Sequence, residues 1–364
     1  MKKWKNNLWR ILFIILFLLP NIAWLFYGTD TESSENRALA DFPTLSLETY
    51  REYPRRFEDW LDDHLPFKES MVSSLNTMTY RLFKESEVDK VIPGKDGWLF
   101  YDGAVNDDGD TVGEYKRTVT VSQEELESIK ENLVYLNESL DKKGIRLILM
   151  IPSNKEEIYS EYMPDFIKVM DGQSKCDILV DYLSKNAEIE VIYPKEKMLQ
   201  YKEQYPLYYK TDTHWTLLGA YVAYGQLEDS LHEGIKELSY VSVKEISLKE
   251  AGCSSDLAKM LNMKSYGENE KGYALEQYPF ADSSDGSRIN KSAKYEERIA
   301  FVGDSFRTAM MPYIRGDYQY SYFIHRNKFS EAEFEEFAPD VVVLEFAERY
   351  IDEMANWKFY SDDE

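Results

Sequence analysis

The 364-residue chain has few of the residues that build metal cages and covalent cross-links, with only two cysteines and four histidines. So few sulfur and imidazole ligands argue against a structural Cys/His zinc site, and we expect no metal or cofactor. Basic residues are also scarce, 43 against 66 acidic ones, and the net charge is −23. Nucleic-acid binding needs Lys and Arg to neutralise phosphates. The composition therefore argues against nucleic acid as a partner.

The apolar content nevertheless predicts a folded protein. Hydrophobic residues make up 43% of the chain and aromatic residues 15%, which is too much for a disordered acidic polymer. The length fits one large domain or two modest ones. Cys176 and Cys253 could pair if the protein is exported, but their spacing leaves a disulfide open.

The first 28 residues predict a membrane anchor. Four basic residues and no acidic one precede an apolar run over residues 11–27, which is about as long as the shortest transmembrane helices. No clear small-residue cleavage site follows, so we favour an uncleaved signal anchor over a cleaved signal peptide. Basic flanks stay in the cytoplasm. We therefore expect a single-pass membrane protein whose remaining chain is extracellular or periplasmic.

Strand and helix signals alternate in the rest of the chain. Ser122 and Glu125 form a capping-box pattern at the start of a helix that ends at Gly144. Further helices are predicted at 178–185 and 217–231, and short apolar runs predict strands at 145–151, 191–193, 299–302 and 341–346. This alternation predicts an α/β fold with a mostly parallel sheet flanked by helices.

We divide the chain into three predicted parts. Residues 1–28 form the anchor, 29–120 a helical and hairpin region that packs on the core, and 121–364 the catalytic core. The helical signal at 46–64 is interrupted near a proline, and turn residues within 91–101 indicate a hairpin. Gly, Ser, Asp, Asn and Lys dominate 251–297, where we expect a long loop or insertion.

A candidate nucleophile lies at the end of the third predicted strand. Gly303-Asp304-Ser305 follows its buried residues and precedes a helix-compatible stretch, 307–314. A serine at such a junction presents its hydroxyl at the carboxyl edge of the sheet, where α/β proteins bind ligands. Its main-chain N–H can stabilise an oxyanion there. Helix capping is the alternative explanation of this tripeptide.

The segment Asp212-Thr213-His214-Trp215 supplies partners for that serine. Residues two apart in an extended chain point to the same side, so Asp212 and His214 can project together. Serine attacks poorly unless a base removes its proton, and a carboxylate must orient that base. Ser305, His214 and Asp212 make up this set. A buried histidine bonded to a carbonyl is the alternative interpretation of His214.

Both segments resemble motifs of a known family. Gly303-Asp304-Ser305-Phe306 is similar to the nucleophile block of SGNH hydrolases, and Asp212-Thr213-His214-Trp215 is similar to the Asp-x-His-Trp signature of the alginate O-acetyltransferase AlgJ/AlgX-like family and its DHHW-motif relatives. Weaker similarities, including Asp256-Leu257-Ala258, extend the resemblance over residues 35–350. Thr213 replaces the second histidine of the DHHW form. The serine block follows the histidine here, which implies a circularly permuted SGNH motif order.

The resemblance implies a flavodoxin-like SGNH fold and an exported O-acetyltransferase. Ser305 would carry the acyl group, with His214 as base and Asp212 orienting it, for transfer to a cell-surface or secreted polysaccharide. The implied partner is a membrane-bound O-acyltransferase that supplies the acyl group. A polysaccharide acetyl esterase and a non-catalytic glycan-binding or assembly protein of the same fold remain alternatives.

Four more residues are candidates for oxyanion or substrate binding. Asn154 is a candidate because it follows a predicted strand, although it also suits a turn. Arg349 can bind a carboxylate in the site or pair with Glu345 at helical spacing. The complete set is Asn154, Lys210, Trp215 and Arg349.

Overall fold

The computed structural model describes residues 39–46, 49–65, 67–83, 89–232, 248–267, 270–278 and 283–359, together with Arg10, Phe13 and Ile14. The predicted anchor therefore lies almost wholly outside the described residues. Within the ranges just given, no helix is both long enough and apolar enough to cross a membrane.

The chain divides into two compact units, Met1–Met78 and Thr79–Glu364. The first contains α1 (Tyr53–Asp63), and α2 (Lys68–Phe83) runs across the division. A proline occupies the first turn of α1, where its missing N–H costs no helical hydrogen bond. The helix predicted within 46–64 therefore begins at Tyr53, directly before its proline. The predicted region 29–120 straddles the two units.

The second unit contains ten strands and ten helices among its described residues, and two 3₁₀ helices bear on the site. In chain order the strands and helices are β1 (Val91–Pro93), β2 (Leu99–Tyr101), α3 (Thr111–Lys116), α4 (Gln123–Asp141), β3 (Arg146–Met150), α5 (Lys155–Ile158), α6 (Lys175–Asn186), β4 (Glu190–Ile192), α7 (Lys195–Tyr201), α8 (Leu217–Leu231), β5 (Leu248–Ala251), α9 (Asp256–Met260), α10 (Lys264–Gly267), β6 (Gly272–Leu275), β7 (Gly286–Ile289), β8 (Tyr295–Gly303), α11 (Met311–Asp317), β9 (Tyr318–His325), α12 (Glu331–Phe337) and β10 (Val341–Glu345). The two 3₁₀ helices are Ser305–Met310 and Glu348–Ala355.

Six strands form the main sheet, in the order β4-β3-β10-β8-β9-β7. The first five are parallel, and β7 joins the edge antiparallel to β9. The predicted mostly parallel α/β sheet is therefore confirmed, as are the strands predicted from the four apolar runs. The hairpin predicted at 91–101 is also present, as the antiparallel pair β1 and β2.

Alternate residues of the central strands build two separate cores. Phe301 and Val343 face α8 and α11, while Val302 and Leu344 face α4, α6 and α12. Successive side chains of a strand point to opposite faces. The continuous apolar runs of β8 and β10 are explained by this burial on both faces, and the result is a three-layer α/β/α unit.

The capping box predicted for the longest helix is present. The Ser122 hydroxyl accepts a hydrogen bond from the Glu125 N–H, and the Glu125 carboxylate accepts one from the Ser122 N–H. Gly144 ends the segment with φ +73°, a left-handed conformation that glycine adopts without steric cost. The sequence signals at both ends of α4 are confirmed.

The described part of 251–297, where the sequence predicts a long loop or insertion, contains short elements. Strands β5 and β6 pair antiparallel there, α9 and α10 lie between them, and β7 joins the main sheet. Each of these elements has four or five residues. Segments that short carry little periodic signal, and polar residues dominate this stretch, so the composition obscured them.

Candidate active site

The end of β8 fixes the position of Ser305. Asp304 caps the following 3₁₀ helix, because its Oδ1 accepts a hydrogen bond from the Phe306 N–H at 3.0 Å. Its Oδ2 accepts one from the Ala347 N–H at 2.8 Å, just beyond β10. Asp304 and Phe306 are buried, whereas Ser305 between them is exposed. The serine therefore lies at the carboxyl edge of the sheet, as its position in the sequence predicts.

A tight approach between two central strands lies directly behind this serine. A Cβ added at Gly303 would lie 2.0 Å from Oε2 of Glu345, the last residue of β10. Burial and the neighbouring charge of Asp304 raise the pKa of the Glu345 carboxyl well above its ordinary value. The glycine of the Gly-Asp-Ser block therefore makes room for a buried carboxyl group that favours its protonated form.

The loop before α8 brings Asp212 and His214 together. His214 Nδ1 lies 2.7 Å from Asp212 Oδ1, and the same oxygen accepts the His214 main-chain N–H at 3.0 Å. The Thr216 hydroxyl caps α8 by accepting the Gly219 N–H. One carboxylate thus holds both the imidazole ring and the backbone that carries it.

His214 connects this loop to the serine. Its Nε2 lies 2.7 Å from Ser305 Oγ. Burial raises the pKa of Asp212, but the hydrogen bonds and charge of His214 outweigh burial and lower that pKa to about 2. The ionised carboxylate can only accept, so Nδ1 carries the proton and the Nε2 lone pair faces the hydroxyl. The three predicted catalytic side chains form one continuous hydrogen-bonded chain.

A cavity of about 410 Å³ opens beside Ser305. Trp215 belongs to its wall, and the buried indole N–H donates to the Phe306 carbonyl at 3.1 Å. Apart from the three predicted catalytic side chains, aromatic, aliphatic and small residues line it: Tyr209, Trp215, Leu217, Gly252, Ser254, Phe306, Thr308 and Ala309. Such a cavity suits a small, partly apolar group held against the hydroxyl.

The other three candidate binding residues are not among those that line this cavity. The Asn154 amide donates to Glu114 Oε2 at 2.9 Å, and the Lys210 ammonium is 3.5 Å from the Asp96 carbonyl. Arg349 lies over the Phe306 ring, 5.5 Å from its centre. Their roles in oxyanion or substrate binding stay predictions.

The structure contradicts the alternative prediction that Arg349 pairs with Glu345. Glu345 ends a strand and Arg349 belongs to the following 3₁₀ helix, so the two do not share a helical face. Arg349 Nε instead lies 3.8 Å from Asp108 Oδ2. Cys176 and Cys253, whose pairing the sequence left open, are both free thiols.

Among the described side chains, one group has ligand atoms close enough together to hold a metal ion. It consists of Asp212, His214 and Asp256, whose ligand atoms lie within 4.8 Å of one another. Both oxygens of each aspartate already accept hydrogen bonds from the protein. All four carboxylate oxygens of this group therefore have a hydrogen-bond donor from the protein.

Two residues at this loop were missed by the sequence analysis. Lys155 donates from its buried ammonium to three carbonyls, those of Tyr209, Lys210 and Asp212. Asp256 binds the Thr213 N–H and hydroxyl at 2.8 and 2.6 Å. The sequence pointed to Asp256 only through the similarity of its segment to the family. No sequence pattern points to Lys155, because its contacts join residues more than 50 positions apart.

The fold and the placement of Ser305 define an SGNH hydrolase-like α/β protein. Residues 91–314 match the family described as "SGNH hydrolase-like domain, acetyltransferase AlgX". The chain belongs to this family.

Two curated relatives are described as a probable alginate O-acetylase AlgJ. The one from Pseudomonas syringae pv. tomato is 26% identical over 225 residues, 60% of this chain and 51% of the relative. The one from Pseudomonas aeruginosa is 26% identical over 185 residues, 50% of this chain and 42% of the relative. The chain thus spans about half the length of the curated relatives it matches.

A solved structure shares the fold. Bacillus cereus PatB1 with a sulfonyl adduct superposes with a TM-score of 0.51 at 14% identity, covering 74% of this chain and 99% of that one. At this identity the likeness establishes the fold alone.

Proposed function

We propose that the protein is an O-acetyltransferase that moves an acetyl group, through an ester on Ser305, to hydroxyls of an exported polysaccharide. The observation that carries the proposal is the chain from Ser305 Oγ through His214 to Asp212, with both heavy-atom distances 2.7 Å. The family match and the alginate O-acetylase relatives support acetyl transfer to a polysaccharide.

The first half-reaction acylates the serine. Ser305 Oγ attacks the carbonyl carbon of an acetyl donor while its proton passes to His214 Nε2, and the Ser305 N–H at the start of the 3₁₀ helix stabilises the oxyanion. The donor's leaving oxygen then departs with the proton from Nε2. Asp212 stays ionised and stabilises the imidazolium throughout.

The second half-reaction transfers the acetyl group to sugar. An acceptor hydroxyl gives its proton to His214 Nε2 while its oxygen bonds to the acyl carbon, and Ser305 Oγ leaves and regains that proton. Water can take the place of the sugar and would yield acetate. The choice between transferase and esterase therefore rests on which hydroxyl reaches the acyl-enzyme first.

The proposal includes a location and a partner. The N-terminal anchor would hold the enzyme on the outer side of a membrane, beside a membrane-bound O-acyltransferase that supplies the acetyl group. The exported part carries 39 basic and 66 acidic residues, a net charge of −27. Such a field repels polyanions, so a neutral or amino-sugar polymer is the favoured acceptor.

The decisive test offers the purified full chain an activated acetyl ester and a neutral oligosaccharide. We expect acetylated sugar, detected by mass spectrometry, and a loss of roughly 10³-fold or more in Ser305→Ala. Ser139→Ala is the matched control, because Ser139 is half-buried on α4 and its hydroxyl donates to the Tyr135 carbonyl of the same helix. Trapping an acetyl adduct on Ser305 would support the covalent step directly.

The same experiment separates the alternatives. Acetate release without acetylated sugar favours the esterase. A chain that forms neither product, and no adduct on Ser305, favours the non-catalytic glycan-binding protein. Turnover that survives in Ser305→Ala would refute the serine mechanism.

A further inference from the structure

A second carboxylate faces the histidine from a different part of the chain. Asp256 Oδ2 lies 3.5 Å from His214 Nδ1, on the ring atom that also contacts Asp212. Asp256 begins α9, 44 residues after Asp212, and its main-chain N–H donates to Asp212 Oδ2 at 3.1 Å. Two acidic side chains from separate segments therefore meet at one imidazole nitrogen.

The carboxylate of Asp256 is held by three hydrogen-bond donors. Oδ1 accepts the N–H groups of Thr213 and Leu257, at 2.8 and 2.7 Å, and Oδ2 accepts the Thr213 hydroxyl at 2.6 Å. Burial and the charge of Asp212 raise the pKa of Asp256 above its ordinary value, and the charge of His214 together with the Thr213 donors opposes that shift. The lone pairs of Asp256 are thus held in place, while its charge stays within reach of His214.

We propose that Asp256 is a positioning residue for His214, a second carboxylate that stabilises the imidazolium formed when Ser305 loses its proton. The proposal rests on the proposed acyl-transfer function. Asp212 makes the direct hydrogen bond and fixes the ring. Asp256 adds negative charge 3.5 Å away and ties Thr213 and Asp212 to α9. Imidazolium formation accompanies each attack, so its stabilisation lowers both barriers.

The other groups around the ring define what a variant would change. Asp212, Asp256 and the hydroxyls of Thr213 and Ser305 contact the imidazole, the Thr213 hydroxyl at 3.2 Å from Nδ1. The Phe306 ring packs on it, 5.1 Å between centres. The buried Lys155 ammonium lies behind the loop, on the Asp212 carbonyl. Removing the charge of Asp256 leaves one carboxylate facing the histidine, so the imidazolium should form only at lower pH.

Asp256→Asn is the test variant, because it removes the charge and keeps the shape. The amide oxygen can still accept both N–H groups. We expect the acidic limb of the kcat/KM profile, and the His214 titration midpoint followed by NMR, to fall by about one pH unit. We expect kcat to fall roughly 3- to 30-fold with little change in KM. Asp256→Glu keeps the charge and should restore the midpoint.

Glu270→Gln is the matched control. Glu270 also binds this loop, accepting the N–H groups of Lys210 and Thr211 at 2.5 and 2.8 Å, but it makes no contact with His214 among the described residues. We expect Glu270→Gln to lower thermal stability without moving the His214 midpoint. Equal shifts in the two variants, or no shift in either, would overturn the proposal.

The NMR midpoint also separates this proposal from the proposed function. A wild-type chain that forms no acetyl adduct would contradict acyl transfer, while the titration would still report whether Asp256 stabilises the imidazolium. Thermal unfolding of each variant establishes that the compared chains are folded.

Discussion

Lys155 holds the loop that carries Asp212 and His214. Its ammonium donates to the carbonyls of Tyr209, Lys210 and Asp212 at 2.8, 3.1 and 2.9 Å. Burial lowers the pKa of Lys155 to about 8, which leaves the ammonium charged at neutral pH with all three protons available. A buried cation is costly unless it is fully hydrogen-bonded, and this one satisfies three carbonyls of the loop.

Lys155→Met should therefore loosen this loop. Three carbonyls would lose the lysine donor, and among the described residues the Lys210 carbonyl alone would keep another, the Leu99 N–H. A displacement of His214 by about 1 Å can cost roughly 100-fold in rate. We expect kcat/KM to fall roughly 10- to 100-fold and the melting temperature to fall as well. Lys155→Arg should not restore activity, because a planar guanidinium cannot direct its donors at the same three oxygens.

The control for that variant is Lys175→Met. Lys175 is equally buried, with 4% of its surface exposed, but its ammonium pairs with Asp352. We expect it to lower stability while kcat stays close to wild type. Wild-type kcat/KM in a folded Lys155→Met chain would show that the lysine does not hold the loop in its active geometry.

At the residue scale, the sequence predicted the side chains that perform chemistry better than those that hold them. Ser305 and His214 follow from residue type, scarcity and position after a strand. The chemistry restricts such residues to few types, so a pattern can find them. Lys155 and Asp256 act through contacts with a loop distant in sequence, and those contacts exist only once the sheet and α9 have assembled. The side chain of Asn154, beside Lys155, donates to Glu114.

At the scale of elements, the close approach between β8 and β10 sets the position of Ser305 at the carboxyl edge of the sheet. The missing side chain of Gly303 lets Glu345 lie against β8. Ser305 comes two residues after Gly303. The carboxylate of the residue between them, Asp304, accepts one N–H from its own 3₁₀ helix and the N–H of Ala347, just beyond β10. The serine is thus positioned by two strands that are adjacent in the sheet and about 40 residues apart in sequence.

Gly303→Ala should disturb both strands. The added Cβ would lie 2.0 Å from Glu345 Oε2 and 2.8 Å from Glu345 Cβ, which the packed core can relieve only by moving backbone. Overpacking of this kind costs about 1–3 kcal/mol. We expect a lower free energy of unfolding in urea and a fall in kcat of roughly tenfold or more as Ser305 moves.

Gly252→Ala is the stability control, because a Cβ there meets nothing within 4 Å. Its free energy of unfolding should stay within about 0.5 kcal/mol of wild type. A Gly303→Ala chain as stable as Gly252→Ala would mean that the core around Glu345 has room that the structure does not indicate.

The strands also differ in how clearly the sequence predicts them. β3, β8 and β10 are buried on both faces, so each appears as an apolar run. β9 was missed, because its sequence alternates tyrosines with Gln319 and Ser321 and gives no such run. β7 has four exposed or half-buried residues and is a strand only because β9 pairs with it. Edge strands of this kind depend on the assembled sheet and leave little local signal.

At the scale of the whole molecule, the acidic composition extends into the interior. Burial raises the pKa of Glu114 to about 8. Burial likewise raises the pKa of further buried carboxyl groups above their ordinary value: Glu156, Glu228, Glu345 and Glu348. A carboxyl group raised on folding binds its proton more tightly in the folded chain, so protonation stabilises the fold.

The free energy of unfolding should therefore fall as pH rises from about 5.5 to 8. The folded chain holds more protons than the unfolded one in this window, which makes the slope of stability against pH negative. His325 and Lys155 oppose the trend, because burial lowers the pKa of each, that of Lys155 to about 8, and the unfolded chain then binds the extra proton. Asp212, with its pKa of about 2, affects stability only below about pH 4. The raised carboxyl groups outnumber these two cationic groups.

Urea unfolding at half-unit pH steps measures this slope, and Glu114→Gln tests its origin. The Gln amide oxygen can still accept the Asn154 amide that Glu114 binds at 2.9 Å, so the variant keeps the contact and loses the titration. We expect a flatter slope up to pH 8, whereas Glu188→Gln, at an exposed position, should leave it unchanged. Stability that rises from pH 5.5 to 8 would mean that the buried carboxyls are ionised in the folded chain, and that cations near them compensate their burial more fully than the packing around Glu114 and Glu345 indicates.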